Sequence, residues 1–254
     1  MKILALLRMT PDPDAQLELN EDASGLDREW LDPKLNDFDD HALEEAVLLK
    51  EATGGSVIAV AIGEGSNRTL QMAVARGATA AISIEWPPDQ MITTPAIAPT
   101  VAALARDHGV DVVMTGVQTS EDLRGQAASF LGGILGWAHV SGTNHVGANA
   151  DGTLIVSQER GSGIVAKFRL ATPAVLGVQT ASKPLRYASG TKLREAFKTP
   201  IESVPLADAC PMLPVAELKL AKGGSAEQLG SSPQDAAKKL ARILVERGLV
   251  GAAL

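Results

Sequence analysis

Short apolar runs alternate with segments of helical spacing along the first half of the chain. The runs have the length and β-branched content of buried strands, and they are Lys2–Leu7, Ser56–Ile62, Ala80–Ile84 and Val110–Thr115. The segments that follow repeat apolar residues every three or four positions and stop at glycine, which predicts helices between Asn36 and Gly54, over Arg68–Arg76, over Pro95–His108 and from Gly125 onward. Because crossovers between parallel strands are right-handed, this β-α repeat over residues 1–137 predicts a doubly wound parallel sheet covered on both faces.

After Trp137 the pattern changes to alternating or short apolar runs separated by glycine-containing turns. The runs are Val140–Val146, Leu154–Arg160, Ile164–Leu170 and Ala174–Val178. Such turns are typical of hairpins, so we predict antiparallel strands that extend the sheet or form a small second one.

The last part of the chain predicts an arm that ends in a helix. Ala216–Leu220 is a candidate final strand, and Lys222–Ser231 has the Gly/Ser content of a flexible linker. Ser232 followed by Pro233 is a typical helix start, and an apolar stripe continues from there to Gly248. This stripe needs a surface to cover it, either on the same domain or on another chain.

Composition narrows the class of protein. The 254 residues are 45% hydrophobic with few aromatics, which favours layered α/β packing, and the net charge of −7 without a basic tract argues against nucleic-acid binding. The single cysteine, Cys210, excludes an internal disulfide and has no neighbour that would activate its thiol. The apolar N-terminal run is too short for a signal peptide or a membrane span. We therefore expect a cytoplasmic protein without membrane insertion.

The stretch after Val110–Thr115 carries the candidate chemistry. Gly116 breaks the strand, a polar loop with Gln118, Thr119, Ser120, Glu121 and Asp122 follows, and a helix starts after Gly125. A helix N-terminus behind a buried parallel strand leaves backbone N–H groups that favour an anionic or nucleotide ligand. The two acids favour a monophosphate over a triphosphate, since like charges repel. An ordinary loop whose polar residues only cap the helix fits the pattern equally well.

Other chemistry is absent from the sequence. There is no dinucleotide fingerprint and no P-loop, and the four histidines lack metal-ligand spacing. The carboxylate pairs Glu44–Glu45 and Glu121–Asp122 are adjacent in sequence, so they do not face each other as an acid–base pair would. These observations favour a binding protein over an enzyme and predict no metal site.

A second candidate region is the polar segment Gln179–Pro200, which we predict to be a loop. It concentrates the basic residues Lys183, Arg186, Lys192, Arg194 and Lys198 in an otherwise acidic chain. The loop is too long for a tight turn, so it is a candidate docking surface for an acidic partner, or else a solvated loop without a role.

Three stretches resemble the beta subunit of electron transfer flavoprotein, particularly the bacterial type that serves amine dehydrogenases. They are Leu35–Asp40 followed by LEEAVLLKE, the loop TGVQTSED with ILGW downstream, and KPLRYASGTKLREAFKTPIESV. The resemblance covers about residues 1–210, and its most specific part is Arg186-Tyr187-Ala188-Ser189.

The resemblance implies a nucleotide-binding fold of the adenine nucleotide alpha hydrolase-like kind, formed by residues 1–210, and an arm at 211–254 that docks on a partner subunit. It implies a heterodimer with an alpha subunit that holds most of the FAD, while the beta chain carries a structural AMP. Electrons would come from flavin-dependent dehydrogenases and pass to electron transfer flavoprotein oxidoreductase or a quinone pool. Such a chain is an electron carrier without substrate turnover of its own.

By position, the resemblance also implies site residues. The cofactor-binding residues would be Leu6, Asn36, Asp37, Phe38, Asp39, Ile62, Gly116, Gln118, Thr119, Ser120, Asp122, Gly125, Gln126, Ala127 and Ala128, with Phe38 beside the flavin ring. The partner-docking residues would be Arg186, Tyr187, Ala188, Ser189, Lys192, Leu193 and Arg194.

The sequence departs from the family pattern in its nucleotide loop and in its docking segment, where Leu185 is also an insertion. The usual Asn-Gln-Thr-Gly end of the nucleotide loop is Gly125-Gln126-Ala127-Ala128, which removes hydroxyl contacts to a phosphate. Gly190 stands where many members carry a docking leucine, and Leu193 is the nearest apolar substitute. Two alternatives stay open: a single-chain adenine-nucleotide-binding protein of the universal-stress type, and a structural partner subunit with an empty pocket.

Overall fold

A computed structural model describes residues 1–12, 14–21, 23–29, 31–87, 91–207, 219 and 226–250, and the chain divides into two compact units, Met1–Leu218 and Lys219–Leu254. The strands of the first unit are β1 (Lys2–Pro11), β2 (Pro33–Leu35), β3 (Ser56–Ile62), β4 (Ala80–Ile84), β5 (Val112–Gly116), β6 (Ala138–Ala148), β7 (Leu154–Glu159), β8 (Val165–Leu170), β9 (Ala174–Val178) and β10 (Glu202–Val204). Its helices are α1 (Asp37–Thr53), α2 (Ser66–Arg76), α3 (Thr94–Asp107), α4 (Ala127–Leu135) and α5 (Gly190–Ala196), and the second unit contains α6 (Pro233–Glu246).

The first unit is built on one mostly parallel sheet, as predicted. The strand order is β10-β4-β3-β1-β5-β9-β6-β7-β8, and β2 pairs with the end of β1. Because successive side chains of a strand point to opposite faces, Ile3, Ala5 and Leu7 pack with α1 and α2, whereas Leu4 and Leu6 pack with α3 and α4. The sequence pattern therefore predicted the doubly wound α/β class correctly.

The second half of the sheet agrees with the prediction only in part. Strands β6, β7 and β8 form the expected antiparallel extension. The antiparallel expectation is wrong for Ala174–Val178, because β9 lies between β5 and β6 and runs parallel to both. All five residues of β9 are buried, which is the burial of a central parallel strand. Turns that contain glycine mark where a strand begins or ends. They do not determine which other strand it pairs with.

The short strands β2 and β10, the continuation of β1 and the helix α5 were not predicted. Strand β1 continues to Pro11 instead of ending at Leu7, since its last residues pair with β2. Strand β10 adds a parallel edge beside β4. The expected loop Gln179–Pro200 contains the helix α5, which starts where the Ser189 hydroxyl accepts a hydrogen bond from the backbone N–H of Lys192.

The second unit contains the predicted C-terminal helix. The Ser232 hydroxyl accepts a hydrogen bond from the backbone N–H of Asp235, as an N-cap does, and none of the described residues of α6 is buried. Cys210 and most of the candidate strand Ala216–Leu220 lie outside the described residues, so the domain boundary at residue 210 stays a prediction. Within the described ranges, no helix has the length and apolar character needed to cross a bilayer.

Candidate functional site

The carboxyl ends of β1 and β5 meet where the strand order reverses, which is the place where open α/β sheets bind ligands. A cleft of about 200 Å³ opens there between the first turn of α1 and the β5–α4 loop (residues 117–126). We call it the switch-point cleft, and its lining residues are Thr10, Lys34, Leu35, Asn36, Asp37, Phe38, Gln118, Thr119, Ser120 and Leu123. The structure thus brings together the predicted cofactor residues Asn36, Asp37, Phe38, Gln118, Thr119 and Ser120.

Asp39 is fully buried beside the cleft and forms an ion pair that the sequence did not indicate. Its Oδ2 atom accepts hydrogen bonds from the backbone N–H and Nε of Arg8, at 2.9 and 2.8 Å. Its Oδ1 atom accepts from Nη2 of Arg8 at 2.7 Å and from the backbone N–H of Gly116 at 2.6 Å. Arg8 also donates to the Gly116 carbonyl. This carboxylate therefore holds β1, α1 and β5 together.

Gly116 is required by the approach of α1. A Cβ atom at this position would lie 2.6 Å from the backbone carbonyl carbon and the Cβ atom of Phe38 and 2.7 Å from the backbone nitrogen of Asp39. The first turn of the helix therefore packs directly on the end of β5. Gly125 has a different role, because its φ of 65° is in the left-handed region that glycine adopts most easily.

The β5–α4 loop uses its acidic residues to brace itself. Glu121 pairs with Arg28 and accepts a hydrogen bond from the backbone N–H of Ile92, and burial raises the pKa of the Glu121 carboxyl. Asp122 accepts from the backbone N–H of Thr94 at 2.8 Å. None of these partners lines the switch-point cleft. The two acids, which the sequence analysis took to disfavour a triphosphate, are therefore turned toward other parts of the chain.

Asn36 and Thr119 also contribute to this bracing. Nδ2 of Asn36 donates to the Gln118 carbonyl at 2.9 Å, which ties the loop to the start of α1. The Thr119 hydroxyl accepts from the backbone N–H of Asp122 at 2.9 Å, which closes the loop on itself. The side chains of Gln118 and Ser120 have no such bond within the described residues, so they are available to a ligand.

Several predicted cofactor residues are not part of the cleft lining. The side chains of Leu6, Ile62, Ala127 and Ala128 are buried, and Gln126 is an exposed residue at the start of α4. Their contact with a nucleotide stays a prediction.

Lys34 is a cleft residue that sequence reasoning missed. It brings a positive charge to the lining of the cleft, and its Nζ atom lies 3.6 Å from a carboxylate oxygen of Asp37. It precedes Asn36 by two positions in a segment without clear periodicity, so only its charge could have drawn attention. Within the described ranges, no group of three or more His, Cys, Asp or Glu side chains is arranged for a metal ion.

The segment after β9 lies along α1, and we call residues 179–189 the α1 strap. His41 accepts a hydrogen bond from the backbone N–H of Ala181, at 3.3 Å. Glu45 accepts from both the backbone N–H and the hydroxyl of Ser182, at 2.8 Å each. The adjacent carboxylates Glu44 and Glu45, which the sequence excluded as an acid–base pair, hold this strap in place.

Arg186 anchors the end of the strap. Glu44, which is 2% exposed, accepts hydrogen bonds from the backbone N–H and from Nε of Arg186, at 3.1 and 2.9 Å. The guanidinium also donates to Glu51. These contacts lower the pKa of Glu51 and raise the pKa of Arg186.

The other predicted docking residues lie at the end of the strap or in α5. The Tyr187 side chain is 99% exposed, and Ser189 caps the helix. Lys192 and Arg194 are exposed. Leu193 is half-buried and lines a cleft together with Met72 of α2.

Comparison with known proteins gives a consistent result. The model of the electron transfer flavoprotein domain family matches residues 25–209. The electron transfer flavoprotein subunit beta of Methylophilus methylotrophus is 27% identical over 212 residues, which cover 82% of this chain and 80% of the relative. The human subunit beta is 29% identical over 82% of both chains, and the mitochondrial subunit beta of Arabidopsis thaliana is 26% identical over 82% of this chain and 83% of the relative.

Proposed function

Because the chain belongs to the electron transfer flavoprotein domain family, we propose that it is the beta subunit of a heterodimeric electron transfer flavoprotein. Its partner is an alpha-type chain that holds most of an FAD. The heterodimer accepts electrons from flavin-dependent dehydrogenases and passes them to an oxidoreductase or a quinone pool. The chain described here carries electrons as part of this complex and turns over no substrate by itself. We assign it to the cytoplasm.

The observation that carries the proposal is the switch-point cleft, whose lining fits an adenine mononucleotide. Lys34 offers a cation to a phosphate, and Gln118 and Ser120 offer hydrogen-bonding groups to a phosphate or a ribose. The cleft is small, about 200 Å³, and shares Lys34, Leu35 and Asp37 with a neighbouring cleft of about 740 Å³. We propose AMP as its nucleotide because the family resemblance implies AMP.

Phe38 is the residue that we assign to the FAD. Its ring is half-buried in the wall of the cleft, and it follows the exposed Asp37 at the start of α1. FAD supplies the redox chemistry when it is bound, and Phe38 would shield one side of it from water. We also propose amine dehydrogenases as the first donors to test, since the sequence resembles that bacterial type.

Expression with the alpha-type chain from the same genome tests the function. We expect a yellow heterodimer that releases FAD and about one AMP when it is denatured, measured by absorbance and mass spectrometry. A colourless single chain that retains a nucleotide would contradict the proposal and favour the universal-stress type of binder.

A pair of serine variants tests the nucleotide site. Ser120→Trp fills the switch-point cleft, so we expect the AMP to be lost while the heterodimer and its FAD remain. Ser129→Trp is the matched control, because Ser129 is also exposed but lies on α4 and does not line the cleft. Equal AMP content in both variants would place the nucleotide elsewhere.

A further inference from the structure

A second cleft, of about 740 Å³, opens beside the switch-point cleft, and we call it the α2 cleft. One part of its lining is the segment Asp32–Leu35, which contains β2. Another part belongs to α2 and includes Arg68 and Met72, and α5 contributes Leu193 and Phe197. The cleft therefore lies between a short strand and two helices, and nothing derived so far gives it a role.

Strand β2 has one edge without a partner. In the sheet that the described residues form, β2 pairs with β1 and with no other strand. The backbone N–H of Asn36, just after β2, donates to the Arg8 carbonyl at 3.0 Å. Hydrogen-bonded pairs alternate along two antiparallel strands, so the backbone groups of Lys34 face β1 and those of Leu35 point away from it. Such an edge is a template for an extended segment of another chain.

The floor of the α2 cleft is apolar. The Met9 side chain is 6% exposed, and Met72 and Leu193 are half-buried. The hydroxyl of Thr69 donates to the sulfur of Met9 at 3.2 Å, so this polar group already has a partner. An apolar side chain can therefore cover the floor without leaving that hydroxyl unpaired.

The rim of the cleft carries charges of both signs. Lys34, Asp37 and Asp40 have ion-pair partners within the described residues. Arg68 and Asp32 are exposed, and neither has an ion-pair partner in the part of the chain that the structure describes. A strand edge, an apolar floor and a free charge of each sign fit a stretch of polypeptide better than a small molecule, because a polypeptide brings backbone groups and mixed side chains together.

The position of the α2 cleft indicates which polypeptide. It shares Lys34, Leu35 and Asp37 with the switch-point cleft, whose wall contains Phe38. The proposed function assigns Phe38 to the FAD, and the alpha-type chain holds most of that FAD. This chain is therefore the partner that comes closest to the α2 cleft. Pairing of backbone together with apolar side chains also suits a permanent subunit better than a transient redox partner.

We infer that an extended segment of the alpha-type chain adds to the free edge of β2 as a further strand. It pairs with the backbone of Leu35, places an apolar side chain on the floor of the α2 cleft and places an acidic one beside Arg68. The inference rests on the proposed function, because it requires the heterodimer.

Hydrogen exchange, resolved to single residues by mass spectrometry, tests the strand pairing in the assembled heterodimer. In Gln71→Trp the new ring fills the α2 cleft, so the incoming segment is displaced. The N–H of Leu35 should exchange at least about tenfold faster in this variant than in the wild type. The N–H of Lys34 faces β1 and should change less than about twofold. An equal exchange rate of Leu35 in both heterodimers would show that the edge is not paired and would overturn the inference.

The affinity of the two chains tests the contact energetically. Gln71→Trp should raise the Kd of the heterodimer about ten- to hundredfold, the loss expected for the centre of an interface. Asn67→Trp is the matched control, because Asn67 is exposed on the same helix but does not line the cleft, and its Kd should change less than about threefold.

Arg68→Glu is a second variant that leaves the cleft open. Arg68 is exposed, so the protein should fold normally. Its Kd should rise at low salt, and the effect should shrink as salt screens the charge. An unchanged Kd in both Gln71→Trp and Arg68→Glu would contradict the inference.

A photocrosslinker identifies the occupant. Benzoylphenylalanine in place of Gln71 is irradiated in the flavin-loaded heterodimer with an electron donor present, and the crosslinked peptide is identified by mass spectrometry. We expect a peptide of the alpha-type chain. A crosslink to the donor, to a second copy of this chain or only within this chain would overturn the inference and leave the proposed function standing. Failure to form any flavin complex in the wild type would overturn the proposed function, and the inference would fall with it.

Discussion

The β5–α4 loop and the α1 strap follow neighbouring parallel strands, yet they are held in opposite ways. The loop is braced by its own side chains, since Glu121 and Asp122 bond to Arg28 and to the backbone near α3. The strap is braced by the carboxylates of another element, α1, which bind its backbone N–H groups. The loop uses its acidic side chains to hold its own shape beside the cleft, whereas the strap is held by α1 and leaves Tyr187 exposed.

Helix α1 takes part in both arrangements. Its first turn packs on Gly116 and closes the switch-point cleft, and its polar face carries Glu44 and Glu45 under the strap. Each region can therefore be perturbed separately by choosing a residue at one end or the other of the same helix.

The largest effect is expected from Asp39→Asn, which removes the anchor of the cleft. The variant leaves the buried Arg8 without its carboxylate, and breaking a buried pair typically costs about 3–5 kcal/mol of unfolding free energy. Asp37→Asn in the same turn is exposed and should cost less than about 0.5 kcal/mol. Urea denaturation measures both, and a loss under about 1 kcal/mol for Asp39→Asn would mean that the pair does not hold the three elements together.

A smaller effect is expected from Gly116→Ala, which separates α1 from the end of β5. The added Cβ would meet the backbone of Phe38 at 2.6 Å, and overpacking of this kind typically costs about 1–3 kcal/mol. Gly133→Ala in α4 is the control, because nothing lies within 4 Å of its Cβ position and alanine favours the helix by about 0.5–1 kcal/mol. If both variants unfold at the same urea concentration, α1 does not need the close approach.

The smallest effect is a pH dependence that should have opposite signs in the two regions. Folding raises the pKa of Glu121 above 4.5, so its contribution to stability is present below that pH and is lost as the pH rises through the folded pKa. Folding lowers the pKa of Glu51 below 4.5, so its contribution is present above that pH and is lost as the pH falls through the folded pKa.

Two glutamine variants measure this difference. Relative to the wild type, Glu121→Gln should gain stability as the pH rises above 4.5, whereas the deficit of Glu51→Gln should shrink as the pH falls below 4.5. The Glu51 effect should be the weaker one, since half of its side chain is exposed and water screens the pair with Arg186. The midpoint of urea denaturation, measured in steps between pH 3 and pH 8, provides the comparison. Parallel curves of midpoint against pH for the wild type and both variants would contradict the prediction.

The sequence was a good guide to the elements and a poor guide to their partners. Periodicity predicted Ser56–Ile62 and Ala80–Ile84 with their observed bounds, because strand and helix periods are properties of neighbouring residues. The same reasoning placed Ala174–Val178 in a hairpin, since a buried run shows that a strand is covered but does not identify the strands beside it.

In the candidate site, too, the sequence indicated the segments involved but not the contacts between distant residues. The family resemblance implied a nucleotide near Asn36–Phe38 and Gln118–Ser120, and the structure brings these residues to one cleft. It gave no sign of Lys34 as a cleft residue, nor of Arg8 as the partner of Asp39. Charged residues are mostly solvated, so a charge in the sequence does not reveal which carboxylate it will meet.

By itself the sequence determined most of the strands and helices, the parallel first half of the sheet and the helix ends at Gly54 and Ser232, because local periodicity and capping specify them. Only the tertiary structure decided that β9 enters the sheet beside β5, that Asp39 meets Arg8, and that Glu44 holds Arg186 from 142 positions away. These contacts join residues that are distant in the chain, and their energy comes from burial and hydrogen-bond geometry that exist only once the sheet has brought them together.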